Sequence, residues 1–532
     1  MALGTAISRI TGFARAALLA MVIGTQLNAD LFDIANTIPN TIYILLAGGV
    51  FNVVLVPQLV RAMKTDEDGG DAFANRVITL GLLILGIGTA VLIFLVPALL
   101  HVVFDATLFD PKQKPQRESA QLLMYLCIPQ IFFYGAFVLI GQILNARGRF
   151  GPMMWAPIAN NVLACAVILA YFAVHGSSNK VGGFDTSEAV LLGLGSTVAV
   201  ALQAAIMLPY LRRAEFHFRP RFDFRGVGLS RTLRLGAWTL ALIIANQIAF
   251  VIVNRIASGA TLAGATDGKP AAGSTVYGLG FLVSQLPHGV VTVSLATAII
   301  PTLTALAADR RYGQFRLELT RVVRVALVVI VPVAVGLLCL GPSVAAIVGG
   351  VGSLGGFTSS IGFTIQAFSL AMVTFTVHYL MLRGFYANED NRTPFLIQVV
   401  VAAVNVGLAF VLTSHVEPDR VAGMLALSFG LSYLVGSTLS VTFLSRQIGP
   451  IVDADMIVFV QRLIMSVALA AFVTRGFVLG LDSLGLEPRR AVGGLLTTTI
   501  AGLAGAATYT AAAKVVRLEQ LTYLIDTVLR RH

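Results

Sequence analysis

Four charged side chains near the amino terminus lie in apolar sequence, where they could do chemistry. Arg9 and Arg15 are six residues apart on one predicted helix, and Asp30 and Asp33 share a face at the start of the next. Arginine stays charged, and its planar guanidinium can grip a phosphate with two hydrogen bonds. The arginines therefore predict an anion site, unless Arg9 only reaches to the interface. The aspartates predict an ion pair with an arginine, a cation site or, for Asp30, a helix N-cap.

Polar residues on other predicted helices extend this candidate site. Asn40 follows Asp33 on about the same face. Arg255 lies in the seventh apolar segment, where it either faces a cavity or reaches to the interface. Gln285 and His288 interrupt the eighth segment. His288 is either a proton switch or a hydrogen-bonded structural residue.

The composition shows what kind of element must position these groups. Of 532 residues, 57% are hydrophobic and only 12% are charged, and the mean hydropathy is +0.84. A soluble domain of this size does not have such a composition, so the chain is predicted to be a membrane protein. The net charge of +11 comes from basic residues in short loops between apolar runs, which indicates membrane topology rather than nucleic-acid binding.

The chain carries no recognisable enzyme or cofactor motif. Cys127, Cys165 and Cys339 lie in apolar runs without metal-like spacing, and we interpret them as packing residues. A phosphate-cradling loop and a nucleophile elbow are also missing from the sequence. We therefore predict no catalytic residues, no metal site and no cofactor beyond a possible coupling ion, whose identity the sequence leaves open.

The apolar runs predict an all-α, polytopic membrane protein with about fourteen transmembrane helices. The restart of the apolar pattern directly after the first run argues against a cleaved signal peptide. Most lysines and arginines fall in the loops on the side of the termini, so both termini are predicted to be cytoplasmic. Four arginines, Arg9, Arg15, Arg255 and Arg475, fall inside helices. The predicted segments are 3–26, 30–62, 76–104, 118–146, 152–175, 187–212, 233–260, 274–308, 320–348, 358–386, 393–414, 420–446, 457–481 and 490–514.

Two sequence matches indicate an internal parallel repeat. Residues 144–152 resemble 385–394, and 56–59 resemble 300–303, with similar spacing between the matches. Two six-helix lobes of the same orientation would enclose a cavity that opens to each side of the membrane in turn, as in a transporter. The predicted parts are an N-lobe, 1–216; a basic cytoplasmic linker, 217–234, that either lies on the inner leaflet or is an ordinary loop; a C-lobe, 235–448; two further helices, 449–516; and a cytoplasmic tail, 517–532.

Several motifs together resemble the MurJ/MviN family, the lipid II flippases of bacterial cell-wall synthesis. The opening Ser8-Arg9-Ile10-Thr11-Gly12-Phe13-Ala14-Arg15 resembles the family pattern Ser-Arg-x-x-Gly-Phe-x-Arg. The other matching stretches follow in the family's order: Asn28-Ala29-Asp30-Leu31-Phe32, Pro39-Asn40, Gly49-Val50-Phe51, Gln142-Ile143-Leu144-Asn145-Ala146, Leu286-Pro287-His288-Gly289-Val290 and Arg392-Thr393-Pro394.

The resemblance implies a fourteen-helix fold of the multidrug/oligosaccharidyl-lipid/polysaccharide exporter superfamily in the bacterial plasma membrane. It implies lipid II, the undecaprenyl-pyrophosphate-linked peptidoglycan precursor, as substrate, and a lipid-tail groove in 449–516. It implies that Arg9, Arg15, Asp30 and Asn40 bind the substrate. We predict Ser8, Arg255 and Gln285 as further substrate-binding residues, and Asp33 and His288 as ion-coupling candidates. Leu282 stands where the family usually has an arginine, and Gln285 where an acid is common. Arg255 is our hypothesis for the replacement.

Other functions stay open at this level. A flippase for another polyprenyl-linked glycan and a cation-coupled drug exporter share the predicted fold, although an exporter of cations would favour an acidic cavity. A membrane scaffold that recruits cell-wall enzymes or regulatory proteins through its tail is a further alternative. Membrane potential or an ion gradient would drive transport, because two negative charges leaving a negative interior gain roughly 4.6 kcal/mol per 100 mV.

Overall fold

The computed structural model describes residues 2–44, 62, 68, 70–177, 179–223, 229–349, 358–488 and 490–521. These residues form helices joined by short connections, with no strand among them, which confirms the all-α prediction. The described α-helices, in chain order, are α1 (Ala2–Ile23), α2 (Leu27–Ile44), α3 (Asp71–Phe94), α4 (Val96–Val103), α5 (Lys114–Cys127), α6 (Gln130–Ala146), α7 (Gly151–His175), α8 (Thr186–Ala205), α9 (Met207–Arg213), α10 (Leu229–Asp267), α11 (Ser274–Pro287), α12 (Val293–Ala308), α13 (Tyr312–Gly349), α14 (Thr358–Ala387), α15 (Arg392–Thr413), α16 (Val421–Ile448), α17 (Ala454–Ser483) and α18 (Ala491–Val515). One turn of π-helix, His288–Thr292, joins α11 to α12, and 3₁₀ turns are formed by Ala106–Phe109, Pro111–Gln113 and Pro418–Arg420.

Twelve helical stretches among the described residues are long and apolar enough to cross a membrane. They begin with Asp71–Phe94 and end with Ala491–Val515. Helices α1 and α2 precede them, and α1, with 22 residues, is about 33 Å long at 1.5 Å per residue. The chain is therefore a multi-pass membrane protein, and the count of fourteen spans is approximate.

The chain divides into two compact units, Met1–Lys269 and Pro270–His532. Helix α10, the seventh predicted span, packs against α2 and α4 and so belongs to the first unit. The units therefore do not coincide with the lobes predicted at 1–216 and 235–448. Those lobes rest on the repeat, and their boundaries stay a prediction.

Close helix crossings in the first unit depend on glycine. Where α3 crosses α6, a Cβ atom added to Gly135 would lie 2.4 Å from the Leu85 side chain, and one added to Gly81 would lie 2.6 Å from Leu139. A leucine side chain of the facing helix thus packs directly against each glycine. Small residues permit such approach in membranes, where packing rather than hydrophobic burial holds helices together.

The turn between α6 and α7 has the same geometry as the turn between α14 and α15. The Arg149 N–H donates to the Leu144 carbonyl at 2.7 Å, and the Asp390 N–H donates to the Phe385 carbonyl at 3.0 Å. The residue before each donor has a left-handed backbone, a glycine at φ +73° in the first turn and Glu389 at φ +60° in the second. The same hydrogen bond ends helices at Leu306–Arg311 and Leu481–Leu486, so the repeat at 144–152 and 385–394 stays a prediction.

The first part of the basic linker is docked on α3. Residues 217–223 have no regular structure, and the side chains of Asn75 and Thr79 accept hydrogen bonds from their backbone N–H groups. Arg76 forms an ion pair with Asp223 at 2.7 Å. The hydrogen bond from Arg76 lowers the pKa of Asp223. This segment is thus bound to the protein by its backbone and one carboxylate.

Three predictions fall partly outside the described residues. These are the motifs in 45–61, the linker at 224–228 and the tail from 522 to 532. The placement of the linker on the inner leaflet stays a prediction.

Candidate functional site

Helix α1, which carries both predicted arginines, is fixed to α7 by one asparagine. The Nδ2 atom of Asn161 donates to the Ser8 carbonyl oxygen and to Thr11 Oγ1, each at 3.1 Å. The bonds hold the turn of α1 that contains Arg9, one and a half turns before Arg15. Ser8 therefore contacts its neighbour through its backbone.

Arg15 lies inside the first unit among neutral side chains. It lies near Cys127 of α5, Tyr134 of α6 and Cys165 of α7. Arg15 and Arg9 are both half-buried, and neither has a hydrogen-bond or ion-pair partner among the described residues. A charge at membrane depth without a protein counter-charge is costly unless it meets a cavity or a ligand. The geometry leaves the Arg15 guanidinium available to an anion.

Beside Arg15, buried polar side chains connect three helices. Tyr134 of α6 lies beside Asn160 of α7. Asn160 Nδ2 in turn donates to Gln203 Oε1 of α8 at 2.8 Å. Asn160 is 6% exposed and Gln203 is 4% exposed. Sequence reasoning missed this network, although an amide inside an apolar segment was a usable signal, because a polar group at membrane depth needs a partner.

One face of α2 meets the same network. Asn36 Oδ1 accepts a hydrogen bond from Gln130 Nε2 at 3.1 Å, and the rings of Tyr43 and Tyr134 have centroids 5.1 Å apart. Asn40 lies between Asn36 and Tyr43 on this face at helical spacing. It is half-buried and has no partner among the described residues. The structure thus brings Asn40 to the helix face that meets the Arg15 neighbour Tyr134.

Asp30 is a fully buried carboxylate that joins α2 to α10. Its Oδ2 atom accepts a hydrogen bond from Thr261 Oγ1 at 2.9 Å, and Thr261 is 1% exposed. Because α2 begins at Leu27, Asp30 lies in the first helical turn and is not the N-cap residue. Negative charge there is still favoured by the helix dipole. Asp33, one turn further, is half-buried.

Arg255 of α10 is engaged by the end of a neighbouring helix. Its guanidinium donates to the carbonyl oxygens of His101 and Val102, the latter at 3.4 Å. These carbonyls belong to the last turn of α4, where a cation is favoured. About two helical turns earlier on α10, Gln247 donates a hydrogen bond to the Thr41 carbonyl oxygen at 3.3 Å. Arg255 therefore ties α10 to α4, and its substitution for a family arginine stays a hypothesis.

In the second unit, His288 is packed and hydrogen-bonded. It is 4% exposed, its Nδ1 lies 3.0 Å from Thr376 Oγ1, and its ring lies 4.7 Å from Phe375 and 5.1 Å from Tyr379. This environment favours the structural interpretation over the proton switch. Gln285, which precedes it on α11, is half-buried without a partner among the described residues.

A second buried histidine, His378 of α14, was not singled out in the sequence. It is 1% exposed, and its Nδ1 lies 2.9 Å from Ser440 Oγ of α16. A serine inside an apolar segment was the available signal. The residue links α14 to α16.

An apolar cavity of about 320 Å³ lies between α13, α17 and α18. Its walls include Leu337, Leu340 and Val467, with Gly502 and Gly505 on α18. The predicted lipid-tail groove in 449–516 falls on these last two helices. A cavity lined by alkyl groups and glycines can accept a hydrocarbon chain.

Membrane-spanning helices that carry a buried charge and buried amides are typical of a transporter. A family model described as "Lipid II flippase MurJ" matches residues 19–482. The chain belongs to this family.

Curated relatives and solved structures agree with the family match. The chain is 26% identical to the probable lipid II flippase MurJ of Haemophilus influenzae over 419 residues, which covers 76% of this chain and 78% of the relative. It is 27% identical to that of Rhizobium meliloti over 422 residues, covering 78% and 74%. An inward closed structure of lipid II flippase MurJ matches with a TM-score of 0.74 at 18% identity, over 98% of this chain and 99% of that one. An inward-facing MATE family multidrug transporter matches with a TM-score of 0.65 at 14% identity, over 84% and 98%. The fold is thus that of MurJ and MATE transporters.

Proposed function

We propose that this protein moves lipid II from the inner to the outer leaflet of the bacterial plasma membrane. The observation that supports the proposal best is the Arg15 guanidinium, a permanent charge inside the first unit that has no partner among the described residues. The pyrophosphate of lipid II supplies the matching negative charge, and charge-assisted hydrogen bonds to phosphate are stronger than neutral ones.

The roles follow from the positions of the side chains. Arg15 and Arg9 hold the pyrophosphate, and Asn40 and Tyr134 donate further hydrogen bonds to it. Asn160, which lies beside Tyr134, keeps that side chain in place. Asp30 fixes α2 to α10 rather than contacting the pyrophosphate. The cavity between α13, α17 and α18 takes part of the prenyl chain.

Transport by this scheme needs no nucleotide. With both termini in the cytoplasm, a pyrophosphate with two negative charges moves outward along the electrical gradient and gains roughly 4.6 kcal/mol per 100 mV. The empty carrier returns with its arginines, whose inward movement the potential also favours. Flipping should therefore slow when a protonophore collapses the potential. Proteins of cell-wall synthesis or its regulation would contact the cytoplasmic tail.

The test is a protection assay in cells depleted of the protein. An added enzyme that cleaves lipid II reports how much has reached the outer leaflet. Wild type and Arg420→Ala, which changes an exposed loop arginine, should restore cleavage. Arg15→Ala should reduce it by about tenfold to a hundredfold, the worth of a hydrogen bond between charged groups, and Arg15→Lys should be intermediate because it keeps the charge but not the fork.

Other outcomes would point to other functions. Normal cleavage of lipid II in depleted cells would contradict the proposal and favour another polyprenyl-linked glycan as cargo. Altered drug sensitivity alone would favour a drug exporter. Full rescue by Arg15→Ala together with loss of rescue on tail removal would favour a scaffold.

A further inference from the structure

One charged side chain in the membrane is not used by the proposed mechanism. Arg475 lies on α17, which has the length and composition of a membrane span, and its side chain is exposed. It has no hydrogen-bond or ion-pair partner among the described residues. An arginine in such a helix needs a partner, and an exposed one must find it outside the protein.

Arg475 lines a cavity of about 440 Å³ between α13, α17 and the turn that follows α17. Asp482, Glu487 and Ser343 also line it. Glu487 is neutralised by an ion pair with Arg490 at 2.7 Å. Asp482 is exposed and has no side-chain partner among the described residues. The cavity therefore holds one unpaired cation and one unpaired anion.

The two unpaired charges lie on the same face of α17. Arg475 and Asp482 are seven residues apart on α17, so they share a face and are separated by about 10 Å along the helix axis. The spacing keeps them from pairing with each other. Because Asp482 is next to the end of α17 at Ser483, Arg475 is the deeper of the two. A ligand that pairs with both side chains must place its negative group at Arg475, deeper in the membrane, and its positive group at Asp482, near the end of the helix.

A hydrocarbon site adjoins the charged cavity. Leu340, Val478 and Ala501 form a packed cluster. Val478 lines the charged cavity, and Leu340 lines the apolar cavity between α13, α17 and α18. Alkyl chains and a charged headgroup thus find suitable surfaces next to each other.

We propose that this cavity binds the headgroup of a zwitterionic aminophospholipid, with its phosphate on Arg475 and its ammonium group near Asp482. Its acyl chains pack on the Leu340, Val478 and Ala501 cluster beside the apolar cavity, and that cavity stays available to the prenyl chain. A purely anionic lipid satisfies Arg475 but leaves its headgroup beside the Asp482 carboxylate. The lipid is a bound component of the membrane and not the transported cargo, so the proposal does not depend on the lipid II assignment.

Native mass spectrometry of the full chain tests the proposal. The protein is released from detergent after exposure to phosphatidylethanolamine or phosphatidylglycerol, and bound lipid is counted. Phosphatidylethanolamine should bind more tightly than phosphatidylglycerol. Arg475→Gln should weaken its binding by about tenfold to a hundredfold, as loss of a charged hydrogen bond implies. Arg420→Gln, a matched change at an exposed arginine that does not line the cavity, should leave binding unchanged.

Asp482→Asn distinguishes a site for a zwitterionic headgroup from a site that binds only the phosphate. It should weaken phosphatidylethanolamine binding and strengthen phosphatidylglycerol binding, because only the carboxylate distinguishes the two headgroups. Equal binding of both lipids by wild type, or unchanged phosphatidylethanolamine binding in Arg475→Gln, would overturn the proposal. A thermal unfolding measurement gives a second test. If soluble glycerophosphoethanolamine raised the melting temperature as much as phosphatidylethanolamine does, the proposal would also be overturned, because the acyl chains would then contribute nothing to binding.

Discussion

The hydrogen bond between Asp30 and Thr261 allows a sharp test of what the buried carboxylate does. Thr261→Val removes the hydroxyl and keeps the shape of the side chain. The donor and acceptor are 2.9 Å apart and almost completely buried, at 1% and 0% exposure. Asp30 keeps another interaction, so the variant leaves the carboxylate short of one hydrogen bond.

The size of the effect follows from two reference ranges. A hydrogen bond to a charged group contributes about 1.5–3 kcal/mol in soluble proteins, and side-chain hydrogen bonds in membrane proteins contribute about 0.6 kcal/mol on average and at most about 1.7. The buried, charged pair should lie near the top of the membrane range, at about 1.5 kcal/mol. For a unit of this size the melting temperature should fall by about 3–6 °C.

The assay compares three variants in one detergent by thermal unfolding and by rescue of depleted cells. Asp30→Asn keeps an acceptor oxygen for Thr261, so it should lose less stability than Thr261→Val. Thr442→Val is the control, because this exposed hydroxyl bonds only to a carbonyl of its own helix. An unchanged melting temperature in Thr261→Val would refute the reasoning. Loss of rescue in Asp30→Asn at full stability would show instead that the negative charge takes part in transport.

Three further predictions concern packing, the linker and the buried histidine. Gly135→Ala should destabilise the protein by about 1–3 kcal/mol, since its Cβ would overlap Leu85, whereas Gly86→Ala on α3 meets no atom within 4 Å and should be tolerated in the same thermal assay. Asp223 has a lowered pKa, so its ion pair is present above the pKa of the unfolded chain and is lost as the pH falls through the lower folded value, below about pH 4. Asp223→Asn should therefore release the linker at neutral pH and speed its cleavage by trypsin, and equal cleavage rates would contradict the docked arrangement. His288→Gln should preserve rescue between about pH 6 and 8, because we assign the ring a structural role, and a flattened pH dependence would show proton coupling.

Much of the architecture could be predicted from the sequence, because lipid imposes a one-dimensional rule. A span must be long and apolar, so helices appear as apolar runs. The segment predicted at 152–175 is observed at Gly151–His175, and that at 393–414 is observed at Arg392–Thr413. The same rule makes a charge conspicuous, which is why Arg15 and Asp30 could be picked out before any contact was known.

The partners of these residues were decided by the tertiary structure. Asp30 could be a cap, a cation ligand or an ion-pair partner in the sequence, and only the packing of α10 on α2 gives it Thr261. Asn160 and Gln203 are 43 positions apart in the sequence. The periodicity of each helix does not show that these two side chains lie at the same depth in the membrane and face each other. Which residues meet depends on the rotation and crossing of packed helices, a property of three dimensions. The sequence by itself therefore determined where the helices and charges lie, and the tertiary structure decided which charges are paired and which stay available to a ligand.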